Sequence, residues 1–139
     1  MNKAGWRQLA EDRVVDAKSL LDAGRWACAY YIAGYALECA LKSCVLTYVE
    51  NSGIIFDDPK FLAGCRTHNL EDLLKLANLQ ATHGTAVGAN PDLLANWGVA
   101  TNWTEESRYE QRSKNEADEL YEAITNNPNG VLPWIKLHW

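Results

Sequence analysis

Between Arg25 and Glu50 the chain is apolar on nearly every side a helix would present, broken only by Glu38 and Lys42. A helix of that kind must be buried on several sides, so other elements have to surround it. Those elements read as helices too. No run alternates apolar and polar residues with β-branched enrichment, so strands are not expected. The reading is all-α: an up-and-down bundle of about five helices forming one domain over residues 1–139. Small residues dominate the central stretch (Ala27, Ala29, Ala33, Gly34, Ala36, Ala40), and such side chains let neighbouring helices approach closely. Gly34 inside a helix costs ~1 kcal/mol relative to Ala, which points to a close helix crossing or a partner contact there.

The flanking segments supply the other helices. Trp6, Ala10, Val14, Ala17 and Leu21 recur at three- and four-residue steps, giving a first helix from about Trp6 to Asp22 that ends at Gly24. Residues 51–67 read as a loop, with Ser52-Gly53, Asp57-Asp58-Pro59 and Gly64 as turn signals and Ile54, Ile55 and Phe56 anchoring it to the bundle. Asn69 is placed to cap a third helix with apolar Leu70, Leu73, Leu74 and Ala77. Residues 82–90 read as a polar, glycine-containing loop. Asn90-Pro91 starts a short fourth helix, and Ser113 with Glu116 forms a capping box for a fifth. The segment 101–112 fits no single class. The aromatic tail from Val131 to Trp139 either folds back on the bundle, with a helical turn or two near Pro133, or covers a partner subunit.

A chain of 139 residues buries roughly 65–70% of its unfolded surface, so it needs neither metal nor disulfide. Cys28, Cys39, Cys44 and Cys65 form no Cys-x-x-Cys pair and no zinc spacing, and read as free, buried thiols in a reducing compartment. No metal and no cofactor is expected. No basic start precedes an apolar run and no uninterrupted apolar stretch of membrane-spanning length occurs, so a cytoplasmic protein without a membrane span is expected. The net charge of −5 and pI near 5.1 argue against binding nucleic acid through the overall field. No glycine-rich phosphate loop, nucleophile elbow or His-Glu-x-x-His motif is present.

Four stretches together resemble HEPN domains: Ala29-Tyr-Tyr-Ile-Ala-Gly-Tyr-Ala-Leu-Glu-Cys-Ala-Leu-Lys42, Ala17-Lys-Ser-Leu-Leu-Asp-Ala-Gly-Arg-Trp26, Thr67-His-Asn-Leu-Glu-Asp-Leu-Leu74 and Trp103-Thr-Glu-Glu-Ser-Arg-Tyr109. The first is similar to that family's second helix, an Ala-rich helix with a Glu and, four residues on, a Lys. The others are similar to its first helix and turn, its His-x-Leu entry to a third helix and its Arg-Tyr segment. The resemblance runs from about Trp6 to Ile124. It implies a HEPN-like helical fold, a homodimer, and either a nucleotidyltransferase partner protein or a ribonuclease role in toxin–antitoxin and defence systems. Active ribonucleases of the family carry Arg, four to six residues, then His. Here the positions before His68 hold Phe61, Leu62 and Ala63; before His83, Leu76, Ala77 and Asn78; before His138, Val131, Leu132 and Pro133. The chain departs from the ribonuclease pattern at every histidine.

The residues able to carry chemistry are few. Glu38 and Lys42 sit one helical turn apart, either as a helix-supporting ion pair or as a polar spot in a ligand cleft. His68 is either a loop imidazole bonded to backbone or a general acid or base, for which Arg66 or Arg108 would supply positive charge. Arg108, Tyr109 and Arg112, with Lys114, are the densest basic and aromatic group. They are either a solvated, self-paired surface among Glu105, Glu106, Glu110 and Glu116, or a grip for phosphate with a ring to stack a base. The expected function is a non-catalytic binding module, homodimeric, acting with a nucleotidyltransferase-type partner or binding a nucleotide. The alternatives are a metal-independent ribonuclease acting on RNA through a non-standard site, and a structural scaffold.

Overall fold

The computed structural model describes residues 1–53 and 59–139. Among them are eight α-helices: α1 (Lys3–Asp22), α2 (Trp26–Ser52), α3 (Pro59–Gly64), α4 (Leu70–Leu76), α5 (Gln80–Ala89), α6 (Pro91–Ala100), α7 (Lys114–Thr125) and α8 (Val131–Lys136). One 3-10 turn, Glu105–Tyr109, precedes α7, and no strand occurs among the described residues. The class is all-α, as the sequence indicates, with more helices than the five expected.

α2 is the axis. α1, α4, α7, α8 and the 3-10 turn all pack on it. Leu37 and Leu41 on α2 are fully buried, as are Ala10 and Ala17 on the facing side of α1. Leu73, Leu120, Ile124 and Ile135 close the core from the other helices; each such side chain contributes ~1.5–3 kcal/mol on burial. By length and apolarity α2 would also suit a membrane span, but 67% of that window is buried inside the bundle.

The local signals act where expected. Gly24 takes φ +73° at the α1–α2 turn. The Asn69 side chain accepts from the Asp72 N–H, and Asn90 from the Leu93 N–H ahead of Pro91. Ser113 and Glu116 form the capping box of α7.

Three expectations are corrected. Residues 82–90 are not a loop but lie mostly in α5, because His83 docks between Trp97 and Trp134, at 4.5 and 5.2 Å between ring centres. That burial outweighs the ~1 kcal/mol intrinsic cost of each of Gly84 and Gly88. Residues 51–67 are not wholly loop. α2 runs on to Ser52, and Pro59 opens α3 at the position where a missing N–H costs nothing; Ile54, Ile55, Phe56, Asp57 and Asp58 lie outside the described residues. Not every thiol is buried: Cys28 is exposed and Cys65 half-buried, while burial pushes Cys39 up to about 11 and Cys44 up to about 12. The last two are inert thiols.

The tail folds back. Val131, Leu132, Trp134 and Ile135 are buried, and Trp139 lies beneath the cations of Arg7 and Lys136 at 5.8 and 5.4 Å. Lys136 also bonds Glu11 of α1 at 3.1 Å.

His83 and its tryptophans make a pH prediction. Burial lowers the pKa of both His83 and His138, and His138 packs tilted against Trp134, with 4.7 Å between ring centres. His83 Nε2 is buried without a hydrogen-bond partner among the described residues. The fold disfavours the charged imidazole, so the unfolded chain takes up protons first. This contribution is complete above the ordinary value of 6.5 and is lost as pH falls below it. Melting temperature should fall between about pH 6.5 and about pH 5, less steeply in His83→Phe. Parallel profiles for the two proteins would contradict this.

Candidate functional site

α2, the residue before α4, and the 3-10 turn meet around one buried carboxylate. Glu38 is 1% exposed. Its Oε1 accepts from Lys42 Nζ at 2.8 Å and faces His68 Nδ1 at 2.9 Å. His68 Nε2 faces Glu105 Oε2 at 3.3 Å. The ring is therefore held between two carboxylates. Both contacts are hydrogen bonds when both nitrogens carry protons, since a neutral imidazole donates through one nitrogen only. Lys42 is held over the Trp6 ring at 5.0 Å. Of the two sequence readings of Glu38 and Lys42, the ion pair is present, and it is a buried one with a third member. Among the described residues the partners of the His68 ring are the side chains of Glu38 and Glu105 rather than the backbone that the simpler reading supposed.

Glu105 reaches His68 because Trp103 is seated on Gly34. A Cβ at residue 34 would lie 2.3 Å from three atoms of the Trp103 ring. The indole N–H donates to the Tyr31 carbonyl at 3.2 Å, and the ring stacks at 6.0 Å on Tyr31, which itself stacks on Tyr35 at 6.3 Å. Thr104 and buried Ser107 then cap the 3-10 turn reciprocally. What approaches Gly34 so closely is not a crossing helix, one of the two expectations, but the side chain of Trp103, from the non-helical segment after α6. A small cleft of about 280 Å³ lies here, lined by Thr67, His68, Trp103 and Glu105.

The basic group lines a different groove. This one holds about 610 Å³ between the α1–α2 turn and the segment after the 3-10 turn, and is lined by Arg25, Trp26, Cys28, Tyr31, Arg108, Gln111 and Arg112. Arg112 is self-paired with Glu110 and Glu116 and lies 4.1 Å over the Tyr30 ring. Lys114 pairs with Asp118 and covers Trp26 at 5.7 Å. Arg108 stacks 4.8 Å over Tyr109, which is 72% exposed. Among the described residues neither Arg108 nor Arg25 has a carboxylate partner. The self-paired reading thus fits Arg112 and Lys114 and does not fit Arg108.

The six sequence candidates divide into two places: Glu38, Lys42 and His68 on one, Arg108 and Arg112 on the other, with Tyr109 beneath Arg108. His68 and Arg108 are not brought together into one cleft. Sequence reasoning missed Glu105 as a partner of His68, and missed Arg25, Trp26 and Tyr31 as walls of the arginine groove. Among the described residues no cluster of His, Cys, Asp and Glu is arranged to hold a metal. No family model matches the chain, and neither a curated protein nor a solved structure does.

Proposed function

We propose that the chain is a HEPN-like, non-catalytic binding module of the cytoplasm, homodimeric, that takes a nucleotide and works beside a nucleotidyltransferase-type partner. The observation that carries the binding reading is the groove at Arg25 and Arg108. On a chain of net charge −5, carboxylates are in excess, yet these two guanidiniums line one groove with no carboxylate partner among the described residues. Arginine recognises phosphate through paired donors, and Trp26 in the groove wall supplies a ring on which a base can stack. The groove's volume lies within the usual range for small-ligand sites. The overall negative charge favours a small nucleotide over a long polyanion.

Two features support absence of catalysis. The family's Arg-to-His spacing is missing, and His68 has a carboxylate at each ring nitrogen, which leaves neither open to a substrate. The ribonuclease reading would need His68 and Arg108 on one phosphate, and they line separate clefts. A thermal-shift panel of nucleoside mono-, di- and triphosphates tests the proposal. At ligand ~10-fold above Kd the stabilisation is about 1.4 kcal/mol, a rise of roughly 4 °C in Tm. No shift at millimolar nucleotide would overturn it.

A further inference from the structure

Along α2, Lys42, Val45, Leu46 and Val49 recur at three- and four-residue steps and so share one face. That face lines a third cleft, of about 330 Å³. Trp6 of α1 and Phe61 and Leu62 of α3 add its other apolar walls. Cys65 and Arg66, just past α3, complete the lining. Burial pushes the Cys65 thiol up, so it is a neutral part of the wall. The two charged side chains of the cleft are both cations, on a chain of net charge −5. Lys42 is met by Glu38 at 2.8 Å. Arg66 is exposed, with no carboxylate partner among the described residues.

We infer that this cleft binds a small apolar acid, with its hydrocarbon body against Trp6, Leu46 and Phe61 and its carboxylate on Arg66. Size sets the class of occupant. The volume lies at the low end of the roughly 300–1,000 Å³ of small-molecule sites, whereas a protein partner needs about 800 Å² of its own surface covered. The walls set the body. A sugar or a base would turn its polar groups toward apolar side chains that cannot satisfy them, whereas hydrocarbon gains by leaving water. Charge sets the head. The paired donors of a guanidinium match a carboxylate, a cation would be repelled by both Arg66 and Lys42, and no acidic side chain lines the cleft to oppose an anion. The inference stands apart from the nucleotide reading, since the cleft shares no lining residue with the arginine groove.

Calorimetric titration of the full chain with octanoate tests it, with 1-octanol as the uncharged comparator and the Arg66→Gln and Leu62→Glu variants beside it. Both positions are exposed, so the variants should keep the wild-type circular dichroism. The expected result is one saturable octanoate site per chain. Loss of the charge-assisted contact should weaken both octanol binding and the Arg66→Gln variant about 10- to 100-fold. Leu62→Glu should weaken octanoate at least ~10-fold, because it sets a like charge beside the carboxylate. Octanoate that fails to saturate at millimolar concentration would overturn the site. Octanol held as tightly as octanoate would overturn the acid, and equal octanoate affinity in all three proteins would overturn the cleft. Retention on phosphatidylglycerol vesicles without saturable octanoate binding would overturn the soluble acid in favour of a membrane surface.

Discussion

Lys42→Met is expected to destabilise the fold by about 3 kcal/mol, although one flexible surface lysine seldom matters so much. Its side chain is 18% exposed, and that of the Glu38 it serves is 2% exposed. Removing one partner of a buried pair leaves an uncompensated charge in a poor solvent and costs about 3–5 kcal/mol. His68 stays as a second partner, so the lower end applies. The double change Glu38→Met with Lys42→Met should recover most of the loss, because two apolar chains of similar volume replace a costly desolvated pair. Urea denaturation of the three proteins reads both effects. A loss below about 0.5 kcal/mol for Lys42→Met, the worth of an exposed pair, would mean that Glu38 does not depend on it.

Gly34→Ala should cost about 2–3 kcal/mol, the opposite sign from the usual gain of ~1 kcal/mol for Ala over Gly within a helix. The new methyl would stand 2.3 Å from the Trp103 ring, too close for small adjustments, so the indole must leave the face. Loss of a buried tryptophan's packing costs about 3–5 kcal/mol, and the helical gain offsets part of it. The change also moves the segment that carries Glu105 and Arg108, so nucleotide affinity should fall with stability. A thermal melt with and without nucleotide checks both. A variant as stable as the parent would show that Trp103 does not depend on the bare backbone at residue 34.

Much of this architecture was legible in the sequence, and the exceptions have physical causes. The all-round apolarity of residues 25–50 dictated a central helix, and local side-chain-to-backbone bonds at Asn69, Asn90 and Ser113 fixed three helix starts. Such caps act within three residues, which is why they can be read without a fold. α5 was not legible because its helix depends on His83 docking between Trp97 and Trp134, a tertiary gain set against two glycines. The Glu38–Lys42 pair was visible from its spacing alone. Its extension to His68 and Glu105 joins residues 30 and 67 positions from Glu38, and no local pattern marks them. Gly34 was conspicuous as a glycine in a buried helix. That Trp103 fills the space is set by the path of the chain after α6. The arginine groove was half visible: Arg108 and Arg112 are close in sequence, whereas Arg25, Trp26 and Tyr31 join them only because the α1–α2 turn lies alongside.

Calorimetric titration of the chain and its Arg108→Ala variant with a nucleoside monophosphate tests the central claim most directly. The predicted result is one site per chain, weakened about 10- to 100-fold in the variant, as expected for losing a charge-assisted contact worth about 1.5–3 kcal/mol. Equal affinity in both proteins, or no binding by either, would contradict it.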